Sequence, residues 1–167
     1  MPNWCHNTLV AEAEDHRLLE QLAKDVRPED QAQGPLCFSS LAPEPGNPDD
    51  PNYDWYMWRL ENWGTKWEPS FGQPMVALGR SEADPEGCFQ GCFENVGRFL
   101  WKFDTAWAPP LPWVETASER YPEITFTLRF GELGTESAGE IVFLAGETVS
   151  SRELEIEDVL EESEMWY

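Results

Sequence analysis

Ile124-Thr125-Phe126-Thr127-Leu128-Arg129-Phe130 alternates apolar and polar side chains without interruption. Successive strand residues point to opposite faces, so Ile124, Phe126, Leu128 and Phe130 share one face, as in a half-buried antiparallel strand. Just upstream, Phe99, Trp101 and Phe103 alternate with Leu100, Lys102 and Asp104 and predict a strand that ends in Thr105-Ala106-Trp107. Between the two, Pro109, Pro110 and Pro112 crowd the start of an element whose Trp113, Val114, Ala117 and Tyr121 share one face. Proline is accepted in the first turn of a helix, and Pro122 ends this one. Ile141 to Leu144 reads as a further strand, joined through a Gly-containing turn.

Further out, Cys5 to Ala11 reads as a first strand. Asp15 is placed to cap a helix that gathers Leu18, Leu19, Leu22, Ala23 and Val26 on one face, with Pro28 beyond its end. Six prolines from Pro28 to Pro51 leave only Leu36-Cys37-Phe38 able to pair as a strand. Asp54 caps a short helix carrying Trp55, Trp58 and Trp63, and Gly64 sits where a left-handed C-terminal cap needs glycine. Residues 68–97, rich in Gly and Pro, read as an excursion from the domain. Ser150-x-x-Glu153 has the form of a capping box, and residues 147–167 hold eight acidic residues and one Arg, a net −7. The order of elements predicts an α+β sandwich, a mainly antiparallel sheet with helices on one face. A single domain is expected over 1–146, with the excursion at 68–97 and an acidic tail or short helix over 147–167.

With 167 residues the chain matches one ordinary domain. Nine Trp, nine Phe and four Tyr supply large apolar areas, so a mean hydropathy of −0.54 is compatible with a packed core. Charge is the strongest compositional signal: 32 acidic against 11 basic residues give −21. Such a field repels DNA, RNA and anionic lipid and attracts basic protein surfaces, less so as salt rises. Direct nucleic-acid binding and membrane association are not expected. The N-terminus lacks the basic and apolar regions of a signal peptide, and no apolar run is long enough to span a bilayer. The expected compartment is the cytoplasm, and nothing in the sequence specifies an oligomeric state.

The chemistry-bearing residues argue for binding rather than catalysis. Cys5, Cys37, Cys88 and Cys92 lack the spacing of a zinc knuckle or a redox pair, so neither metal nor cofactor is expected. Cys5 and His6 are adjacent, which places them on opposite faces of a strand and argues against a nucleophile–base pair. Asp50-x-Asn52-x-Asp54 with Glu61 reproduces several calcium-loop positions, but Trp55 stands where the sharp turn requires Gly. Lys66, between Trp63 and Trp67, is either a cation held against indoles or an anion anchor, or else it pairs with Asp104 or Glu132 and closes the sheet. The last is the plainer expectation. Asn62 and Thr105 are expected to satisfy backbone groups at turns.

Five motifs occur in an order that resembles the YubB-type family of phages and conjugative plasmids. They are Met1-Pro2-Asn3-Trp4-Cys5-x-Asn7, Phe38-x-x-Leu41-x-Pro43-x-Pro45, Tyr53-Asp54-Trp55, Asn62 to Trp67, and Phe103-x-Thr105-Ala106-Trp107-x-Pro109-Pro110. The resemblance covers roughly residues 1–145 and implies a ferredoxin-like βαββαβ domain, a name that implies no iron. It brings no catalytic residues. Two functional expectations follow. The favoured one is a non-enzymatic acidic binding module of a phage or mobile element that engages a basic host protein, as a nucleic-acid mimic or an anti-defence protein. The alternative is a small anionic ligand, bound with or without turnover in an aromatic pocket around Lys66 and Trp107. The candidate binding residues are Tyr53, Asn62, Trp63, Lys66, Trp67, Thr105 and Trp107.

Overall fold

The computed structural model describes residues 3–30, 33–71 and 97–164. In chain order the elements are β1 (Trp4–Glu12), α1 (His16–Asp25), a 3-10 turn (Phe38–Ser40), α2 (Trp55–Asn62), β2 (Arg98–Ala106), α3 (Leu111–Arg120), β3 (Thr125–Glu132), β4 (Ser137–Leu144), β5 (Glu147–Glu153) and α4 (Ile156–Glu164). The five strands form one sheet in the order β2-β1-β3-β4-β5, every neighbouring pair antiparallel. Since β2 and β3 both run against β1, the β2-α3-β3 unit is a crossover that straddles β1. On the free side of β2, Ser70 exchanges both backbone hydrogen bonds with Asp104, at 2.8 and 2.7 Å. This single bridge occupies the place of a strand after α1. Among the described residues the chain therefore traces βαββαβ as β1, α1, Ser70, β2, α3, β3, with Ser70 in the place of the second strand. The fold is ferredoxin-like, extended by β4, β5 and α4.

Register explains the core. Leu9 lies between Trp101 and Leu128, and Ala11 between Phe99 and Phe126, all buried on one face. Onto that face pack Leu19, Leu22 and Ala23 of α1 and Trp113, Val114 and Ala117 of α3. Asp15 caps α1 by accepting from Arg17 N at 3.0 Å, and Pro112 sits in the first turn of α3. The opposite face is covered in part by α4. A Cβ at Gly131 would come within 2.8 Å of Ile156 Cδ1 and 3.0 Å of Val159 Cγ1, so α4 lies as close as only glycine allows.

Two local expectations change. Leu36-Cys37-Phe38 forms no strand: Cys37 N bonds the Val26 carbonyl at 2.7 Å, and the chain then turns at Phe38–Ser40, where the Glu68 carboxylate accepts from Phe38 N (2.5 Å) and Ser39 N (3.0 Å). A carboxylate from a distant segment supplies the pairing that a neighbouring strand would have given. Of the segment after Gly146, expected to be an acidic tail or a short helix, the first part pairs with β4 as β5, and Ser150 lies in that strand, not at a helix cap. The helix begins only at Ile156. β5 is exposed along its whole length, so it carries no apolar alternation by which its sequence could be read. Of the 68–97 excursion, residues 72–96 lie outside the described residues.

Because Leu128 is fully buried at the centre of the sheet, Leu128→Ala is expected to cost about 2–5 kcal/mol. Urea unfolding of both proteins measures this, and a loss below about 1 kcal/mol would place the core elsewhere.

Candidate functional site

Helix α2 spaces Trp55, Arg59 and Trp63 four residues apart, which stacks them on one face. The Arg59 guanidinium lies between the two indoles, 4.9 Å from the Trp55 ring centroid and 5.0 Å from that of Trp63. It donates to Glu44 at 2.9 Å and to the Lys66 carbonyl at 3.2 Å. Trp63 is buried, donates its indole N–H to the Ala42 carbonyl at 3.0 Å and meets Trp58 edge-on. Asp54 caps the helix through Met57 N, and Gly64 ends it at φ +83°, where a Cβ would collide with Pro112. Asn62 turns back to the Trp58 carbonyl at 2.8 Å. Tyr53, half-buried, lays its ring against Gly46; burial, then the Glu44 carboxylate, raises the pKa of its hydroxyl.

A second polar cluster ties this helix to the end of the sheet. Asn7 donates to Thr105 Oγ1 and to the Cys5 carbonyl, both at 2.9 Å. Thr105 donates to the Ala108 carbonyl at 2.7 Å, and Thr65 to that of Ala106 at 2.9 Å. Asn7, Thr65 and Thr105 are all buried, and all three work on backbone carbonyls. As expected, Asn62 and Thr105 satisfy backbone groups.

Lys66 corrects its expectation. Asp104 instead binds His6, Nδ1 to Oδ1 at 2.6 Å, and Glu132 is taken up by its own turn, accepting from Gly134 N, Thr135 N and the Thr135 hydroxyl. Those donors, the Thr135 hydroxyl foremost, hold Glu132 below the usual carboxylate range. The Lys66 ammonium stands 4.6 Å from the Trp67 ring centroid, with no carboxylate partner among the described residues. Trp67 in turn meets Trp4, ring centroids 6.3 Å apart. Trp107 is 56% exposed, and at φ +71° its backbone is left-handed, which costs a non-glycine residue about 1–2 kcal/mol. It is held there by its N–H to the Asn3 carbonyl at 2.9 Å.

The seven candidate residues therefore divide. Asn62, Trp63 and Thr105 face inward as framework, Tyr53 is half-buried beside Glu44, and Lys66, Trp67 and Trp107 reach the surface with Trp4. Cys5 and His6 do lie on opposite faces, and burial pushes the Cys5 thiol up to about 12, which keeps it protonated. Asp50 and Asn52 hydrogen-bond each other rather than converging with Asp54, which is spent on its cap.

Sequence reasoning missed two features. One is Arg59, whose four-residue spacing from both tryptophans was legible in the chain. The other is a groove of about 650 Å³ at the opposite end of β1 from Trp4, about 26 Å away at 3.3 Å per strand residue. Its lining includes Glu12, Glu14, Asp15 and Glu123 with Leu18 and Leu144, drawn from separated segments that no linear motif connects. Glu12 pairs with Arg98 at 2.9 Å and Asp15 with Arg17 at 3.1 Å, whereas Glu14 and Glu123 have no cationic partner among the described residues.

Residues 90–166 match the family described as the ferredoxin-like domain in Api92-like protein. Among solved structures the chain is similar to the crystal structure of the protein api92 from Yersinia pseudotuberculosis. The two share 10% identity, the comparison covers 92% of this chain and 98% of that one, and the TM-score is 0.50. This likeness concerns the fold. No curated protein matches. Among the described residues no helix is long and apolar enough to cross a membrane.

Two outcomes follow from this geometry. Arg59→Ala leaves Glu44 partly buried without its cation and is expected to cost about 1.5–3 kcal/mol, whereas Lys66→Ala forfeits about 0.5–1 kcal/mol. Chemical denaturation separates the two, and equal losses would refute the assignment. The Asp104 hydrogen bond raises the His6 pKa against the opposing effect of burial. The pair therefore contributes stability fully below the unfolded histidine value of about 6.5 and loses it as pH rises through the raised folded value. In an NMR titration His6 is expected to have its midpoint above about 6.5 and to fall in Asp104→Asn; an unmoved midpoint would show that the pair does not govern it.

Proposed function

We propose that this protein is a non-enzymatic acidic binding module that engages a basic protein. The observation that carries the reading is the distribution of charge. Of the few cations in a chain of net −21, Arg17, Arg59, Arg98, Arg129 and Arg152 are each held against a carboxylate. The surplus of acids is thus left to face solvent and sets the external field. In the groove at the Glu12 end of β1, Glu14 and Glu123 belong to that surplus and lie beside two apolar side chains, Leu18 and Leu144. Such a surface receives a lysine- or arginine-bearing segment with an apolar side chain between its charges.

A row of carboxylates presented to a basic groove stands in for a phosphate backbone, which supports the finer reading as a nucleic-acid mimic. The ordered motifs that resemble those of YubB-type proteins support a phage or conjugative-plasmid setting, in which the natural partner is a nucleic-acid-handling or defence protein of the host.

Titration calorimetry with a basic peptide at low and at physiological ionic strength tests this reading. Binding is expected at low salt and should weaken as salt rises; Glu14→Lys with Glu123→Lys should weaken it by about tenfold or more at unchanged fold. Absence of binding at low salt would remove the proposal, and binding indifferent to the two substitutions would move it away from the groove.

A further inference from the structure

We infer that the corner formed by Trp4, Trp67 and Trp107 is a surface that binds arginine side chains of the partner protein. The inference rests on the reading of the partner as basic and adds a second point of contact, at the far end of β1 from the acidic groove. Trp4 opposes Ala106 in the sheet, Trp107 follows Ala106 and bonds Asn3, and Trp67 packs on Trp4, so the three exposed tryptophans belong to the same end of the sheet. They are 36%, 37% and 56% exposed, in a chain that buries Trp63, Trp101 and Trp113 almost completely.

Folding does not demand this exposure. The buried indoles of Trp63 and Trp113 each donate to a backbone carbonyl, whereas the N–H groups of Trp4, Trp67 and Trp107 have no partner among the described residues. Trp107 also holds a left-handed backbone that glycine would adopt without strain. A bulky residue kept at a strained, exposed position points to use of its side chain.

The chain itself shows what its indole faces accept. Arg59 is clasped between Trp55 and Trp63, and Lys66 already lies against Trp67, so two of the molecule's few cations rest on tryptophan. The faces of Trp4 and Trp107 carry no cation of the described chain. An indole face attracts cations through its quadrupole, and a net charge of −21 reinforces the attraction. Arginine suits the site better than lysine, because the flat, weakly hydrated guanidinium stacks on an indole while the compact ammonium stays hydrated. Nucleic acid is repelled by the same field. A second copy of this chain is disfavoured by its own charge and by arginines already held in internal ion pairs.

The test uses the full chain, an arginine-bearing peptide and a lysine-bearing peptide of equal charge, with affinities measured by calorimetry at low salt. The arginine peptide is expected to bind about threefold to tenfold more tightly. Trp107→Gly removes the indole while easing the backbone, so the fold should survive; it is expected to erase the arginine preference and leave lysine binding in place. Trp4→Thr, a conservative strand residue, should reduce the preference in the same direction. Equal affinity for the two peptides in the parent protein, or a preference that persists in both variants, would overturn the inference while leaving the acidic module intact. Binding of neither peptide would remove the basic-partner reading and this inference with it.

Discussion

The rest of the structure depends on β1 having a partner on both sides. With β2 on one edge and β3 on the other, its core face presents Leu9 and Ala11 to aromatic and aliphatic neighbours at every rung, Trp101 and Leu128, then Phe99 and Phe126. A strand flanked in this way cannot slip by one residue without turning its whole apolar face to water. The crossover of α3 between β2 and β3, the seating of α1 and the meander through β4 and β5 are all laid out from that rigid centre.

Toward the Trp4 end the same core face changes character. Below the rung of Phe103, Asn7 and Phe130 comes Thr105, Cys5 and Glu132, where large apolar side chains give way to polar groups. Burial of these groups is tolerated because Asn7, Thr65 and Thr105 each reach a backbone carbonyl and Glu132 gathers the donors of its turn. This network pins the chain after β2 and so holds Trp107 in its strained conformation. The Arg59–Glu44 pair performs a comparable task for the long loop before α2, drawing residues 44, 59 and 66 together where Pro-rich sequence offers no ladder of its own. Polar groups are thus satisfied internally at one end of the sheet, while Glu14 and Glu123 line the groove at the other.

The division between framework and surface was legible in part. Asp15, Asp54 and Gly64 were readable as caps because capping is local and its chemistry needs only a few neighbouring residues. The strands carrying Phe99–Phe103 and Ile124–Phe130 were readable because one buried face imposes a two-residue period. Leu36-Cys37-Phe38 misled for the converse reason: three apolar residues fit a strand or a buried turn equally, and Glu68, thirty residues away, decided in favour of the turn. Lys66 was placed correctly near Trp67, but its pairing with Asp104 or Glu132 failed because each acid had a better partner, His6 in one case and the β3–β4 turn in the other.

By itself, the sequence determined the α+β class, the two-residue periodicity of the principal strands, the apolar faces of α1 and α3, the capping points and the strongly negative charge. Each follows from composition or from residues within a few positions of one another. The tertiary structure alone decided that Ser70 stands in for a strand, that Glu147–Glu153 joins the sheet through backbone bonds with no apolar signature, and that Arg59 occupies the aromatic clasp while Lys66 lies outside it. It also decided that carboxylates from separate segments share one groove and that Trp4, Trp67 and Trp107 share one end of the sheet. Those outcomes depend on which of several chemically equivalent partners comes within reach, and reach is set by the packing of distant segments rather than by the order of residues along the chain.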